Sequence, residues 1–252
     1  MDVAAREPET IGAGLVRLRR IAAADPVQPQ VWRRLADALD AAGDRTGAQA
    51  AYLQHVERAP ADPALMRAAA ALAANEIPTA ERLLKAHLRQ APTDVAAIRM
   101  LAELAVRLDR LEDARNLLER CLELCPDFRE ARQHYALVLH RLNEPAATLA
   151  ELDRLLRTAP DDPAARNLKA AVLCRTGEYD TAIAIYAKLL DEHPEQAQVW
   201  LSCGHALKTA GHAERSIAAY RRCIDLDPDF GEAWWSLANL KTFRFDDAQI
   251  ET

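Results

Sequence analysis

Seven histidines and five cysteines are the side chains of this 252-residue chain that could bind a metal or attack a substrate. Helical zinc sites place their ligands four residues apart on one face, and zinc knuckles use C-x-x-C pairs. His134 and His140 are six residues apart, and the sequence contains no C-x-x-C pair. The spacing therefore predicts no metal site.

The remaining chemistry-bearing residues fit structural positions better than catalytic ones. We expect His134, His140 and His205 on the side that faces a ligand, His55 and His87 partly buried in second helices, and His193 and His212 in turns. Cys121, Cys203 and Cys223 are interpreted as small core hydrophobes, and Cys174 as partly exposed. With Cys125 the chain has five cysteines, an odd number that predicts no disulfide framework. The sequence holds no P-loop, G-x-G-x-x-G, H-E-x-x-H or G-x-S-x-G motif, so no catalytic residue is assigned to this chain.

Composition excludes several classes of protein. The net charge of −6 gives no electrostatic attraction to phosphate backbones, so no nucleic-acid partner is expected. No run of about 20 apolar residues predicts a membrane span. The stretch 11–24 is interrupted by Arg17, Arg19 and Arg20, which argues against a signal peptide. Together with the unpaired cysteines, this favours a reducing cytoplasm.

The helices that position these residues can be predicted from a series of regularly spaced prolines. Proline lacks a backbone N–H and clashes with the preceding turn, so each one ends a helix. Successive spacings in the series are 34, 32, 34, 34, 34 and 34 residues. Its members are Pro26, Pro60, Pro92, Pro126, Pro160, Pro194 and Pro228. The interval predicts a repeated pair of helices.

Large and small residues recur within each interval. The clearest copy contains Trp200, Cys203, Gly204, Leu207, Gly211, Tyr220 and Pro228, and the first full copy contains Trp32, Leu35, Ala36, Leu39, Gly43, Ala48, Tyr52 and Pro60. This pattern resembles the tetratricopeptide repeat, W-x2-L-G-x2-Y, A-x3-F, P, over 34 residues. The resemblance implies an all-α fold, a right-handed α-solenoid of about six tetratricopeptide helix-turn-helix repeats plus capping helices.

The pattern also has a physical basis that is independent of the family. Small residues such as Ala36 and Ala48 let the two helices of a hairpin approach closely, and the large ones fill the seam between neighbouring hairpins. Gly43, Gly177 and Gly211 lie where the first helix should end in a left-handed turn. A single hairpin cannot bury its apolar face, so stability must come from stacking.

The repeat defines the expected domain boundaries. We predict an N-terminal capping helix in 1-28, six units at 29-62, 63-94, 95-128, 129-162, 163-196 and 197-230, and a terminal helix with the start of a truncated downstream segment in 231-252. The unit 63-94 is two residues short. Because Met66, Ala69 and Ala70 keep the register of its first helix, we expect the deletion in the turn near residues 75–78 and only a local irregularity.

The C-terminal stretch carries more apolar bulk than a repeat requires. Trp235, Phe243 and Phe245 are the extra residues, and Asp246 would cap a helix of only one turn, so we expect the chain to continue in a longer parent. The run WWSLANLKTFRF resembles the junction between repeats and catalytic domain in bacterial tetratricopeptide-repeat sulfotransferases. That resemblance implies 3′-phosphoadenosine 5′-phosphosulfate (PAPS) as cofactor of a downstream domain. This chain lacks the family's P-R-S-G-[ST]-[ST]-L segment, so no cofactor is expected in it.

Family resemblance also suggests where a ligand would lie. Tetratricopeptide proteins hold ligands in a concave groove lined by the first helices, and transferring those positions onto this chain gives Arg33, Arg34, Asp37, Arg99, Met100, Glu103, Arg107, Gln133, His134, Leu137, His140, Arg141, Asn167, Arg175, His205, Lys208, Trp235 and Asn239. The cations among them favour an acidic or carboxylate-bearing peptide. The carboxylate clamp of chaperone-tail binders is disfavoured, because Asp37 stands where an asparagine is needed. The asparagine ladder of O-linked N-acetylglucosamine transferases is likewise absent.

The leading hypothesis is a protein- or peptide-binding scaffold, the N-terminal recognition domain of a bacterial sulfotransferase-like protein. The alternative is a stand-alone adaptor that self-associates through its exposed C-terminal helix, since uncovered apolar surface at the end of a solenoid invites a second copy. A hydrolase or metalloenzyme built on the histidines is the third hypothesis.

Overall fold

A computed structural model describes residues 11–240 of the chain, and every regular element in that range is helical. The α-helices are α1 (Ile11–Ala24), α2 (Pro29–Ala41), α3 (Arg45–Arg58), α4 (Pro63–Ala73), α5 (Ile77–Gln90), α6 (Val95–Arg107), α7 (Leu111–Leu124), α8 (Arg129–Arg141), α9 (Pro145–Thr158), α10 (Pro163–Thr176), α11 (Tyr179–Glu192), α12 (Ala197–Thr209), α13 (Ala213–Leu226) and α14 (Gly231–Ala238). A short 3-10 turn, Ala59–Ala61, follows α3. The all-α fold class is confirmed. The predictions for Phe243, Phe245 and Asp246 lie outside the described residues.

The chain divides into two compact units after Leu142. The first unit contains α1–α8, in which α2 pairs with α3, α4 with α5 and α6 with α7. The second contains α9–α14, in which α10 pairs with α11 and α12 with α13. Within these hairpins the helices pair as the proline interval predicts.

Aspartate side chains begin several of the helices. Asp44 accepts a hydrogen bond from Gly47 N at 2.9 Å, and Asp94 accepts one from Ala97 N at 3.0 Å. The carboxylate satisfies an N–H that the helix leaves unpaired, and its charge interacts favourably with the positive end of the helix dipole. These caps fix where each helix starts relative to the preceding turn.

The first helix of each hairpin ends in a left-handed residue. Gly43, Gly177 and Gly211 have φ values of 81°, 89° and 86°, which confirms the prediction for these glycines. Three further residues adopt the same conformation without being glycine, namely Asn75, Asp109 and Asn143. Asparagine and aspartate tolerate this region better than other side chains do. The left-handed backbone conformation of this turn therefore recurs along the chain, although the residue that adopts it changes.

The two-residue deletion lies in α4. This helix has 11 residues, whereas α2 and α6 have 13 each. The left-handed residues Gly43 and Asn75 are 32 positions apart, while Asn75 and Asp109 are 34 apart. The expectation that the turn near residues 75–78 absorbs the deletion is therefore wrong, because that turn has its full length.

Tryptophan side chains bind the start of three first helices to the preceding loop. Each indole Nε1–H donates to the carbonyl of the proline six residues earlier, at 2.9, 2.9 and 2.8 Å, in the pairs Trp32–Pro26, Trp200–Pro194 and Trp234–Pro228. The indole ring thus fills the seam, and its polar edge satisfies a loop carbonyl at the same time. This bond gives a physical reason for the tryptophan that follows three of the seven prolines at this spacing.

The first unit departs from simple nearest-neighbour stacking. Helix α3 contacts α6 and α7, which belong to the hairpin after next. Tyr52 of α3 shares one core with Ile98 and Leu118, whereas Leu72 and Leu84 of the α4–α5 hairpin belong to a separate core. The expectation of a merely local irregularity is therefore wrong. Both the α2–α3 and the α4–α5 hairpins pack on α6–α7.

Candidate functional site

An open apolar groove of about 630 Å³ lies in the first unit along α4, α6 and α8. We call it the α4–α8 groove. Its apolar lining includes Met66, Met100 and Phe128, with Val56 from the end of α3. Met66 is 57% exposed, so its side chain is accessible to a ligand in the groove. Methionine side chains are flexible and polarisable, so they adapt to different apolar partners.

Four polar residues line the same groove: Arg99, Glu130, Gln133 and His134. Arg99 Nη1 lies 3.3 Å from Glu103 Oε2, so its charge is partly neutralised. Burial and the neighbouring Arg99 lower the pKa of His134. The neutral imidazole of His134 offers one donor and one acceptor, which suits a peptide group better than a carboxylate.

Part of the predicted set meets in this groove and part does not. Arg99, Met100, Gln133 and His134 line it, and Glu103 lies beside it as the partner of Arg99. Sequence reasoning missed the contributions of Val56, Pro60 and Phe128, which come from the end of α3 and from loops. Only a knowledge of how the α4–α5 hairpin is placed would have identified them.

Arg33 and Asp37 form an internal network. Arg33 Nη1 lies 3.0 Å from Asp37 Oδ2 and 3.4 Å from Thr93 Oγ1. The Tyr52 hydroxyl donates to Asp37 Oδ1 at 2.7 Å. These side chains connect α2 with α3 and with the loop before α6, so they hold the fold. Arg34, by contrast, is exposed to solvent.

Arginines at one repeat position connect three first helices, α6, α8 and α10, to the end of the preceding first helix or to the turn that follows it. Arg107 Nη1 donates to the carbonyl of Leu72 at the end of α4, at 2.5 Å. Arg141 Nη2 donates to Asp109 Oδ1 at 2.7 Å, and Arg175 donates to the side chain of Asn143. The guanidinium groups of these three arginines therefore bind other residues of the repeats. The preference for an acidic peptide, which rested partly on these cations, stays a prediction.

The predicted site residues of the second unit form no single cluster. His205 Nε2 lies 3.1 Å from Ser236 Oγ, and burial lowers the pKa of this histidine. Asn239 Nδ2 donates to the Trp235 backbone carbonyl at 2.9 Å, and the indole of Trp235 is 68% exposed. Lys208 is exposed, and the Asn167 Oδ1 atom is buried without a hydrogen-bond partner.

A buried charged cluster in the first unit was not anticipated. His55 Nε2 lies 2.9 Å from Asp94 Oδ1, and His87 Nε2 lies 2.7 Å from Asp94 Oδ2. His55 and Asp94 are fully buried, and the other ring nitrogen of His55 lies 2.9 Å from the Pro29 carbonyl. Burial alone would raise the pKa of Asp94, but hydrogen bonds with the two histidines lower it well below its usual range. The cluster thus joins three hairpins through one carboxylate.

The cysteines behave as core residues. Cys121, Cys125, Cys203 and Cys223 are buried free thiols, and burial raises the pKa of Cys203 and Cys223 to about 11. Thiols with a raised pKa are weak nucleophiles at neutral pH. The interpretation of Cys121, Cys203 and Cys223 as core hydrophobes is confirmed. Cys174 is half-buried, and burial raises its pKa as well.

Two further features concern the described part of the chain. Between residues 11 and 240, no group of three or more histidine, cysteine, aspartate or glutamate side chains could hold a metal ion. None of the helices in that range is long and apolar enough to cross a membrane.

Comparison with known proteins places these features in a family. The tetratricopeptide repeat profile matches residues 71–124, 105–172 and 175–241, which together make up more than half of the chain. A search of curated protein sequences finds no match. The crystal structure of YrrB, described as a TPR protein with an unusual peptide-binding site, is similar with a TM-score of 0.55 at 16% identity, over 87% of this chain and 96% of that chain.

MamA structures are also similar. MamA from Desulfovibrio magneticus RS-1, from residue 41 to its end, has a TM-score of 0.62 at 18% identity, over 67% of this chain and 97% of that chain. A further MamA crystal structure has a TM-score of 0.59 at 18% identity. At such identities the solved structures support the fold alone. Since the repeat profile covers most of the hairpins, and their turns, caps and buried tyrosines follow its spacing, the chain belongs to the tetratricopeptide-repeat family.

Proposed function

We infer that the chain is a protein- or peptide-binding scaffold and that the α4–α8 groove holds the ligand. The observation that carries this proposal is the apolar lining of the groove beside the polar residues Arg99, Gln133 and His134. Ligand sites combine an apolar surface with a few polar groups that set orientation. An apolar side chain of the ligand would lie between Met66 and Met100, and the ligand backbone would hydrogen-bond to Gln133 and His134.

The mechanism is passive. Helices α6 and α8 already hold their side chains in place, so little conformational entropy is lost when a peptide binds. A neutral His134 can donate to a carbonyl or accept from an amide of an extended peptide. The proposal therefore favours a ligand with apolar anchors, and a carboxylate is not required at this groove.

A matched pair of exposed apolar residues tests the groove. Peptides selected from a random display library against the full chain would be measured by fluorescence anisotropy against Met66→Lys and Leu137→Lys. Met66 lines the groove, whereas Leu137, 42% exposed on α8, does not. We expect Met66→Lys to weaken binding about tenfold or more, equivalent to about 1.4 kcal/mol, and Leu137→Lys to have little effect. Equal affinity for both variants would place the ligand elsewhere.

We also propose, from the WWSLANLKTFRF resemblance, that the parent protein is a bacterial sulfotransferase-like enzyme and that this chain is its recognition domain. In that case the downstream domain uses PAPS, and this chain contributes substrate or partner recognition. The five free thiols suit a reducing compartment such as the cytoplasm. Reading the coding sequence beyond Thr252 decides the matter, because a stop codon or a domain without a phosphosulfate loop removes the proposal.

The second candidate is an adaptor that self-associates through its C-terminal helix. The exposed indole of Trp235 on α14 favours it, since exposed large apolar side chains can contact a second copy. Sedimentation of the wild type and Trp235→Glu tests the candidate. A monomer at high concentration for both proteins would exclude it.

A further inference from the structure

A second apolar groove, of about 440 Å³, lies in the second unit between α11 and α13. We call it the α11–α13 groove. Its floor is one stripe of α12, formed by Trp200, Cys203 and Leu207, which are three and four residues apart and therefore share a helix face. The floor is fixed in place, because Trp200 Nε1 donates to the Pro194 carbonyl at 2.9 Å.

Small residues on both walls keep the groove open. Ala187 on α11 and Ala218 on α13 are exposed, and both line the groove. Because alanine ends at its β-carbon, a partner helix can approach the two backbones closely and reach the α12 stripe. Two helical walls over an apolar floor fit an amphipathic helix better than a compact small molecule.

Charge is distributed unevenly around this groove. Arg215 and Arg222 of α13 line it and are exposed, and neither forms an ion pair with another described residue. Asp191 of α11 is the acidic residue of the lining. The α13 wall therefore presents two uncompensated positive charges along an apolar surface.

The spacing of the two arginines fixes what could pair with them. They are seven residues apart on one helix, which corresponds to about 10 Å along the axis at 1.5 Å per residue. Acidic residues seven apart on a partner helix have the same separation and lie on one face of it. Arginine also forms strong, directional hydrogen bonds with carboxylates.

We propose that the α11–α13 groove docks an acidic amphipathic helix of a partner protein. The partner's apolar stripe lies on Trp200, Cys203 and Leu207, and its carboxylates pair with Arg215 and Arg222. This site is separate from the α4–α8 groove and does not depend on a ligand there. Rim charges of this kind mainly set orientation and specificity, while the apolar floor provides most of the affinity.

A pair of synthetic peptides tests the proposal. The probe is a fluorescein-labelled 18-residue helical peptide with a leucine stripe and two glutamates seven residues apart on one flank. The swap peptide has lysines in place of those glutamates. Both are titrated against the full chain by fluorescence anisotropy, at low and at physiological ionic strength, because exposed ion pairs weaken as salt increases.

Charge reversal supplies the central comparison. We expect the double variant Arg215→Glu, Arg222→Glu to bind the glutamate peptide about tenfold more weakly or worse, and to bind the lysine peptide more tightly than the wild type does. The matched control is Arg82→Glu, Arg89→Glu. These two arginines are also exposed and seven residues apart, on α5, and they change the net charge by the same amount. The control should bind both peptides as the wild type does.

Filling the groove separates docking from simple charge attraction. Ala218→Trp blocks the approach to the floor without changing any charge, and it should abolish binding of the glutamate peptide while circular dichroism remains that of the wild type. Binding that survives Ala218→Trp, or that falls equally in the α5 control, overturns the proposal. Concentration-dependent self-association of the wild type also overturns the proposal if neither peptide binds and the double variant Arg215→Glu, Arg222→Glu abolishes that self-association. The occupant of the groove is then a second copy.

Discussion

Replacing Asp94 with asparagine removes the carboxylate that two histidines share. In the wild type, Asp94 Oδ1 accepts from Ala97 N at 3.0 Å and lies 2.9 Å from His55 Nε2, and Oδ2 lies 2.7 Å from His87 Nε2. Asparagine keeps the helix cap, because its carbonyl can accept from Ala97 N as well as a carboxylate oxygen does. It loses the charge from the contacts with the two histidines.

The magnitude follows from those two contacts. A hydrogen bond to a charged group contributes about 1.5–3 kcal/mol, against about 0.5–1.5 kcal/mol for a neutral one, so weakening two of them costs about 2–3 kcal/mol. Asp94 and His55 are fully buried, so water cannot replace the interaction that is lost between them. Asp44→Asn is the matched control, since Asp44 caps α3 at an exposed site through Gly47 N. It should leave the free energy of unfolding nearly unchanged.

The pH dependence of this difference has a defined sign. The lowered pKa of Asp94 gives stability that is present above its unfolded pKa of about 3.9 and is lost as the pH falls through the folded value. The hydrogen bond with Asp94 raises the pKa of His87, which gives stability that is present below its unfolded pKa of about 6.5 and is lost as the pH rises through the folded value. Asp94→Asn should therefore be most destabilising between about pH 4 and 6.5.

Urea denaturation followed by circular dichroism, at pH 5.5 and pH 9, measures the effect. We expect the larger loss of stability at pH 5.5 and a smaller loss at pH 9, because the contribution of the raised His87 pKa falls as the pH rises above the unfolded value. An unfolding free energy within about 0.5 kcal/mol of the wild type at pH 5.5 would show that the cluster contributes little. A large loss that is identical at both pH values would refute the role of the His87 charge.

Two packing predictions concern the second unit. Gly204→Ala should lower the free energy of unfolding by about 1–2 kcal/mol in chemical denaturation, because the new β-carbon would lie 2.5 Å from the fully buried ring of Tyr220, whereas Gly231→Ala meets no atom within 4 Å and should not destabilise. Trp200→Phe should lower the free energy of unfolding by about 1 kcal/mol in the same measurement, because the indole hydrogen bond is lost. Trp235→Phe, at an exposed ring, serves as its control. Equal effects of the two substitutions would contradict this role of the bond.

Local physical rules predicted much of the fold. The proline interval gave the hairpins, and the conformational freedom of Gly43, Gly177 and Gly211 gave the ends of their first helices. The site was predicted less completely, because whether an arginine is available for a ligand depends on partners far away in sequence. Arg33 contacts Thr93 and Arg141 contacts Asp109, and the repeat pattern does not specify such contacts between side chains of different hairpins.

The α4–α8 groove and the break in the repeat occur at the same place, and one cause accounts for both. A hairpin of regular length buries its apolar seam against the next hairpin in the stack. The shortened α4 belongs to a hairpin with its own core on α6, while α3 packs on α6–α7 and its Val56 is only partly buried there. Met66 is exposed for this reason, and Val56 and Phe128 reach the same groove. Inserting two residues within α4 should therefore bury the apolar lining of the α4–α8 groove and remove ligand binding. The six-residue spacing between each of the three tryptophans and its proline stays unchanged by this insertion.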